Sequence, residues 1–297
     1  MKIIVTGSLG NISGRLAEQL AQKGHDVTVI SHNQDKKAAI EAIGAKPAIG
    51  SLSDYEFLLG AFQGADAIYL MTPPNYQTDN LKEAMIAIVE NYAKVIEAVK
   101  VKYIVNLSGI GAQSPQGYGP SSAFYYTEAM LNELPETNVL HLRPGMFYSN
   151  YYGSAAMIKH MGFIGNNFES DKVIVMTHPH DIADAAVEAF ETLSFSGKQI
   201  RYVASDELTG AQIVDTIGSA ISKPDLHWVV FSDEELIQGI MRNGFSHHMA
   251  SNFAEMGTAI KEGKIWEQYL ENKGNAYGKI KFADFAKTEL APFYKTL

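Results

Sequence analysis

Lys2-Ile3-Ile4-Val5-Thr6-Gly7-Ser8-Leu9-Gly10-Asn11-Ile12-Ser13-Gly14 joins a short apolar run to a glycine-rich turn and a helix start. The run reads as a buried strand. Glycines at 7 and 10 let the backbone turn tightly and approach a pyrophosphate, whose charge would rest on the amides and positive dipole of the next helix. That helix is written in Ile12, Leu16 and Leu20, four residues apart, with Ala17 and Ala21 beside them. Asp26-Val27-Thr28-Val29-Ile30-Ser31 reads as a second strand. The glycines therefore lie inside a strand-helix-strand unit, the context a dinucleotide-binding turn requires. Ser13 stands where such turns carry a third glycine, and serine is small enough to keep helix and strand close.

The alternation continues downstream. A short apolar piece near Pro47 to Ile49 precedes Ser53-Asp54-Tyr55-Glu56, a capping-box pattern that opens a helix. Ala67 to Met71 reads as a buried strand stopped at Thr72-Pro73-Pro74, and a long helix is expected from about Asp79 to Val99. Tyr103 to Leu107 is the next strand, a helix follows from about Ser122 to Leu134, and Asn138 to Arg143 is a strand closed by Pro144-Gly145. This predicts an α/β chain: a Rossmann-type, doubly wound parallel sheet of six strands over residues 1–145. A smaller α+β substrate lobe, partly interleaved with the core, is expected over 146–297, with helices near His180 to Thr192, Thr209 to Ser222, Asp233 to Arg242 and Ser246 to Glu262. Ligands of open α/β sheets sit beyond the carboxyl ends of the strands, so Gly7, Ser31, Thr72, Ser108 and Pro144 should line one crevice.

At 46% hydrophobic composition over 297 residues, the chain can bury a sizeable core. A net charge of −9 without clustered Lys and Arg argues against a nucleic-acid partner. No basic segment leads into an apolar one and no long uncharged apolar run occurs, so neither secretion nor membrane insertion is indicated and the cytoplasm is expected. The absence of cysteine removes disulfides, thiolate metal sites and thiol nucleophiles. Histidine would have to carry a metal site, but His178-Pro179-His180-Asp181 reads as a turn entering a helix and no second ligand pair stands elsewhere, so none is expected.

Cofactor choice is read at the end of the second strand. A site selecting NAD places Asp or Glu there, whereas this chain has Ser31-His32-Asn33-Gln34-Asp35-Lys36-Lys37. Ser31, His32 and Asn33 can donate hydrogen bonds and Lys36 or Lys37 can supply charge, which favours NADP(H) over NAD(H). The same residues would also serve as a solvated helix start, with Asp35 weakening the positive field.

Together these motifs resemble the NmrA-like family of atypical short-chain dehydrogenases/reductases, in particular its NAD(P)H:quinone reductase branch. The resemblance runs along the whole chain and is carried by Val5 to Ile12, Tyr69-Leu70-Met71-Thr72-Pro73-Pro74, Thr127-Glu128-Ala129-Met130-Leu131, Leu142 to Asn150, Asp181-Ile182-Ala183 and Leu208-Thr209-Gly210-Ala211. Departures are Ser13 for glycine, His32 where an arginine is common, and Gly50-Ser51 for Gly-Asp. The resemblance implies that Gly7, Ser8, Leu9, Gly10, Asn11 and Ile12 hold a pyrophosphate. Ser31 and His32, with Asn33 and Lys36 beside them, would meet the adenosine ribose, and Met71, Thr72 and Pro73 the nicotinamide ribose. Ser108 holds the family serine position and is expected among the cofactor-binding residues, as a strand-end hydrogen-bond donor rather than a catalyst because it has no basic partner, and Pro144 and Phe147 would flank the nicotinamide. Tyr148, Asn150 and Tyr151 become substrate-pocket candidates, although any single aromatic there could equally be core.

The usual Tyr-x-x-x-Lys dyad is missing. Tyr118, Tyr125 and Tyr126 have Ser122, Ala129 and Met130 four residues on, and no lysine occurs between Lys102 and Lys159. Carbonyl reduction through that dyad is therefore not expected. Hydride transfer to a quinone or similar electron-poor small molecule asks less, because the reduced product is stabilised by delocalisation and mainly needs proximity. Tyr125 or Tyr148 could supply a proton. The competing reading is a sensor that binds NADP(H) without turnover and acts through a protein partner; a homodimer is compatible with either.

Overall fold

The computed structural model describes residues 1–76, 78 and 80–297. Its first half alternates β1 (Lys2–Val5), α1 (Ser13–Gln22), β2 (Asp26–Ser31), α2 (Lys37–Ala42), β3 (Lys46–Ile49), α3 (Tyr55–Phe62), β4 (Ala67–Leu70), α4 (Leu81–Val99), β5 (Tyr103–Leu107), α5 (Ala123–Asn132) and β6 (Asn138–Pro144). Then follow β7 (Met146–Phe147), α6 (Tyr151–Met161), β8 (Phe163–Asn166), β9 (Val173–Thr177), α7 (Pro179–Thr192), β10 (Lys198–Val203), β11 (Asp206–Thr209), α8 (Gly210–Ile221), β12 (His227–Val230), α9 (Asp233–Arg242) and α10 (His247–Lys261).

All six strands read from the first 145 residues are present, and a seventh joins them from far downstream. The sheet runs β10-β6-β5-β4-β1-β2-β3 with every pairing parallel. The six-strand expectation is thus corrected to seven, β10 pairing along β6 from Lys198 opposite Val139 to Val203 opposite Pro144. One face of the sheet packs on α1 and α7 through Leu16, Leu20, Ile182 and Phe190, and the other on α3, α4 and α5 through Leu58, Val89, Ile96 and Leu131. Coverage on both faces explains why the strands read as continuous apolar runs. Asp54, not Ser53, caps α3, its carboxylate accepting from Phe57 N, so the expected capping box is replaced by a single Asp cap. Asp79, where the sequence reading begins α4, lies outside the described residues.

Beyond residue 145 a three-stranded sheet, β11-β9-β7, and the pair β12-β8 build a second core with α6, α8 and α10. Gly145 is the joint. A Cβ there would lie 2.4 Å from the Val175 carbonyl oxygen, so only glycine lets β9 come this close.

Candidate active site

The strand order reverses direction between β1 and β4, and the chain is pinned there. Thr6 Oγ1 accepts from Met71 N at 2.7 Å, and the Tyr92 phenol donates to Met71 O at 3.1 Å. These bonds fix the segment after β4 beside the glycine turn. In that turn Gly7 has φ 95° and Ser8 φ 55°, and a Cβ on Gly7 would lie 2.4 Å from Ser13 Oγ. Ser13 thus fills the third-glycine place by packing its small hydroxyl against a bare α-carbon. Unlike α3, α4, α8, α9 and α10, helix α1 begins without a side-chain cap, its N-cap being Ile12, and carries no acid in its first turn. Gly14 N donates to Gly10 O at 2.9 Å, and the other leading amides, which no side chain caps, can meet an anion.

Over this turn lies a cavity of about 360 Å³. Gly7, Gly10, Asn11, Ile12, Met71, Thr72, Ser108, Pro144, Phe147 and Asn150 all reach its wall. Of the expected crevice, Ser31 alone is set back: it is buried, and its Oγ accepts from Ser8 Oγ at 2.9 Å and from Asn33 N at 3.1 Å. Ser8, Leu9 and Pro73 flank the wall without forming it, and His32 and Lys36 stand exposed beyond β2. Asn33 Oδ1 is used to cap the following turn, accepting from Asp35 N.

Three aromatic candidates sit elsewhere. Tyr125 is 39% exposed on the outer face of α5, edge-on to Tyr126, and the cavity is met instead by its neighbour Phe124. Tyr148 has no solvent exposure; its phenol donates to Ile280 O at 2.9 Å and its ring packs on Phe282 and Phe285. Burial pushes that phenol well above the ordinary tyrosine range. Tyr151 is likewise core, its hydroxyl directed to Met176 Sδ. Tyr148–Asn150 is a 3-10 turn in which residues three apart eclipse, so Phe147 and Asn150 share one face and Tyr148 and Tyr151 the opposite one. Asn150 lies on the cavity wall, whereas the expectation that Tyr148 and Tyr151 line a substrate pocket is corrected, both rings being core.

The sequence reading missed the far wall. Leu81 and Met85 of α4 and Phe253, Met256 and Ile260 of α10 close the cavity, with Ile265 and Trp266 beyond. The stripe at 253, 256 and 260 follows helical spacing and was available, but nothing local told which core it faces. Among the described lining residues there is no Asp, Glu, Lys, Arg or His, and Tyr76 holds the one phenol. Burial raises the Tyr76 pKa, and its ring packs against Phe245 and Phe253. His178, by contrast, is a cap: its Nδ1 accepts from His180 N and its Nε2 pairs with Glu289 Oε1 at 2.8 Å. A larger, polar cleft of about 590 Å³ lies along β10 beside Glu188, Arg201 and Gln268, but it includes none of the β1, β4 or β5 strand ends.

The chain is thus a Rossmann-like α/β protein with an apolar cavity where the strand order reverses. The chain belongs to the NmrA-like family, which it matches over residues 1–285. It is 23% identical over 295 residues to an NAD(P)H azoreductase of Xenophilus azovorans, covering 98% of this chain and 99% of the other. An NADPH-dependent quinone oxidoreductase of Escherichia coli, solved with NADPH, superposes at TM-score 0.79 with 21% identity over 96% of this chain and 98% of that one. NmrA, a negative transcriptional regulator solved with NADP, superposes at TM-score 0.73 with 13% identity over 99% and 97%. No helix among the described residues is long and apolar enough to cross a membrane.

Proposed function

We propose that this protein is an NAD(P)H-dependent reductase acting on a planar, electron-poor small molecule such as a quinone or azo compound. The observation that carries the reading is the apolar cavity set directly over the glycine turn, whose described wall residues include no ionisable group apart from the Tyr76 phenol. The turn suits a dinucleotide: Gly7 leaves room a Cβ would fill, and the uncapped start of α1 offers amides to a pyrophosphate. Gly7, Gly10, Asn11 and Ile12 would hold that group, Met71 and Thr72 the nicotinamide ribose, and Pro144 and Phe147 the ring. Exposed His32 and Lys36 favour a 2′-phosphate, hence NADP(H). When bound, the cofactor supplies the hydride. The chain supplies orientation: Phe124, Phe147, Phe253 and Trp266 offer apolar surface against which an aromatic acceptor stacks. A described wall without a carboxylic acid suits acceptors whose reduced form is stabilised by delocalisation. The names of the azoreductase and quinone oxidoreductase relatives support the same acceptor class.

The test is steady-state oxidation of NADPH and NADH by the purified chain with naphthoquinone and azo acceptors. Turnover with a lower KM for NADPH is expected. Dinucleotide binding with no oxidation by any acceptor would move the protein to the sensor class, beside the regulator whose fold it shares.

A further inference from the structure

Ser108 follows β5 at the cavity wall, and its hydroxyl proton is already committed. Its Oγ donates to Glu128 Oε1 at 2.5 Å. Arg143 donates to both oxygens of Glu128, Nε to Oε1 at 2.9 Å and Nη2 to Oε2 at 2.7 Å, so Glu128 is held as an acceptor. The Arg143 fork is itself fixed by Gln268 Oε1 at 3.0 Å. Both charged residues are 4% exposed, so water does not compete for these bonds. The backbone amide of Ser108 is also used, donating to Leu142 O. A hydroxyl has one proton and two lone-pair sites. With the proton turned inward, what Ser108 offers the cavity is a lone pair.

We infer that Ser108 is a specificity-determining hydrogen-bond acceptor that selects ligands carrying an O–H or N–H, and that Glu128 and Arg143 are the positioning residues that set this polarity. The consequence for catalysis rests on the reductase reading. Quinone oxygens and azo nitrogens accept hydrogen bonds only, whereas their two-electron products, hydroquinones and hydrazines, donate them. Two electrons and one hydrogen arrive as hydride from the dihydronicotinamide, and the second hydrogen arrives as a proton from water. The donor that Ser108 accepts is thus made in the reaction, and the site holds the reduced product more tightly than the oxidised acceptor.

The experiment needs no turnover: dissociation constants of 2-naphthol and 2-methoxynaphthalene are measured by ligand-observed NMR on the full chain, with and without NADP⁺. The two probes share a ring and differ in the donor. Relative to the ether, 2-naphthol should bind roughly tenfold tighter, the size of one net hydrogen bond, and Ser108→Ala should shrink that ratio to about twofold or less. In Glu128→Gln the new amide can donate to Ser108, freeing the serine proton and shifting the preference towards the ether. If Glu128→Gln does not fold, Ser108→Ala decides alone, because it leaves the ion pair intact. An unchanged ratio in Ser108→Ala overturns the inference. In the unaltered chain, NADPH oxidation with no preference for 2-naphthol over the ether sinks this inference alone, and that preference without NADPH oxidation sinks only the reductase reading.

Discussion

Arg143 closes its guanidinium on both oxygens of Glu128, at 2.9 and 2.7 Å, and joins β6 to α5 where almost no solvent reaches. A buried pair of this kind contributes less by its own attraction than it costs to break, because removing one partner strands the other charge. Arg143→Met should therefore destabilise the chain by about 3–5 kcal/mol in denaturant unfolding, and Arg143→Met with Glu128→Leu by less than the single change. A double variant as unstable as the single one would show that the pair matters chiefly through packing.

Gly7→Ala tests the turn. A methyl group there meets Ser13 Oγ at 2.4 Å on a backbone with φ 95°, so the turn must shift. The dissociation constant for NADPH, followed by nicotinamide fluorescence, should rise roughly tenfold or more, one or two kcal/mol of strain and lost contact. Binding as tight as in the unaltered chain would remove the turn from the cofactor site.

The two tyrosines separate by burial. Tyr125→Phe should leave both stability and NADPH oxidation unchanged, since its phenol faces outward from α5. Tyr148→Phe should cost about 1–2 kcal/mol of stability by leaving the Ile280 carbonyl without its donor, while NADPH oxidation per folded molecule stays the same. A Tyr148→Phe chain that is stable but inactive would return Tyr148 to the site.

His141 predicts a pH dependence. Its ring is buried between Asn106 Nδ2, which donates to Nδ1, and Asn132 Oδ1, which accepts from Nε2, each at 3.0 Å. That environment suits the neutral ring, and burial lowers its pKa from 6.5 to about 4. The unfolded chain then binds more protons than the folded one between these values. The stability contributed is present above pH 6.5, declines as pH falls and is lost through about pH 4, amounting to roughly 3 kcal/mol. His141→Gln should flatten this slope in unfolding measured from pH 7 to pH 4; an unaltered slope would assign it to other groups.

What the sequence disclosed was what local spacing controls. Gly7 and Gly10 between an apolar run and an Ile12-Leu16-Leu20 stripe fix strand, turn and helix within twenty residues. Gly7, Thr72, Ser108 and Pro144 on the near wall followed from the rule that ligands gather at strand ends. Strand β10 stayed hidden because Lys198-Gln199-Ile200-Arg201 is an exposed edge whose pairing with β6 depends on a partner sixty residues away. Tyr148 and Tyr151 were misplaced because spacing shows that they share a face but not which core receives it. Phe253, Met256 and Trp266 were missed for the same reason, since only tertiary packing carries α10 and the turn after it across the cavity.

Hydride transfer inside this cavity can be followed by single-turnover stopped-flow oxidation of protein-bound NADPH by a 1,4-naphthoquinone, with the nicotinamide C4 position unlabelled and deuterated. Oxidation should saturate with quinone, slow roughly two- to fourfold on deuteration, and weaken in Phe253→Ala, which opens the cavity wall. Tightly bound NADPH that no acceptor oxidises, or oxidation with no isotope effect and no response to Phe253→Ala, would contradict it.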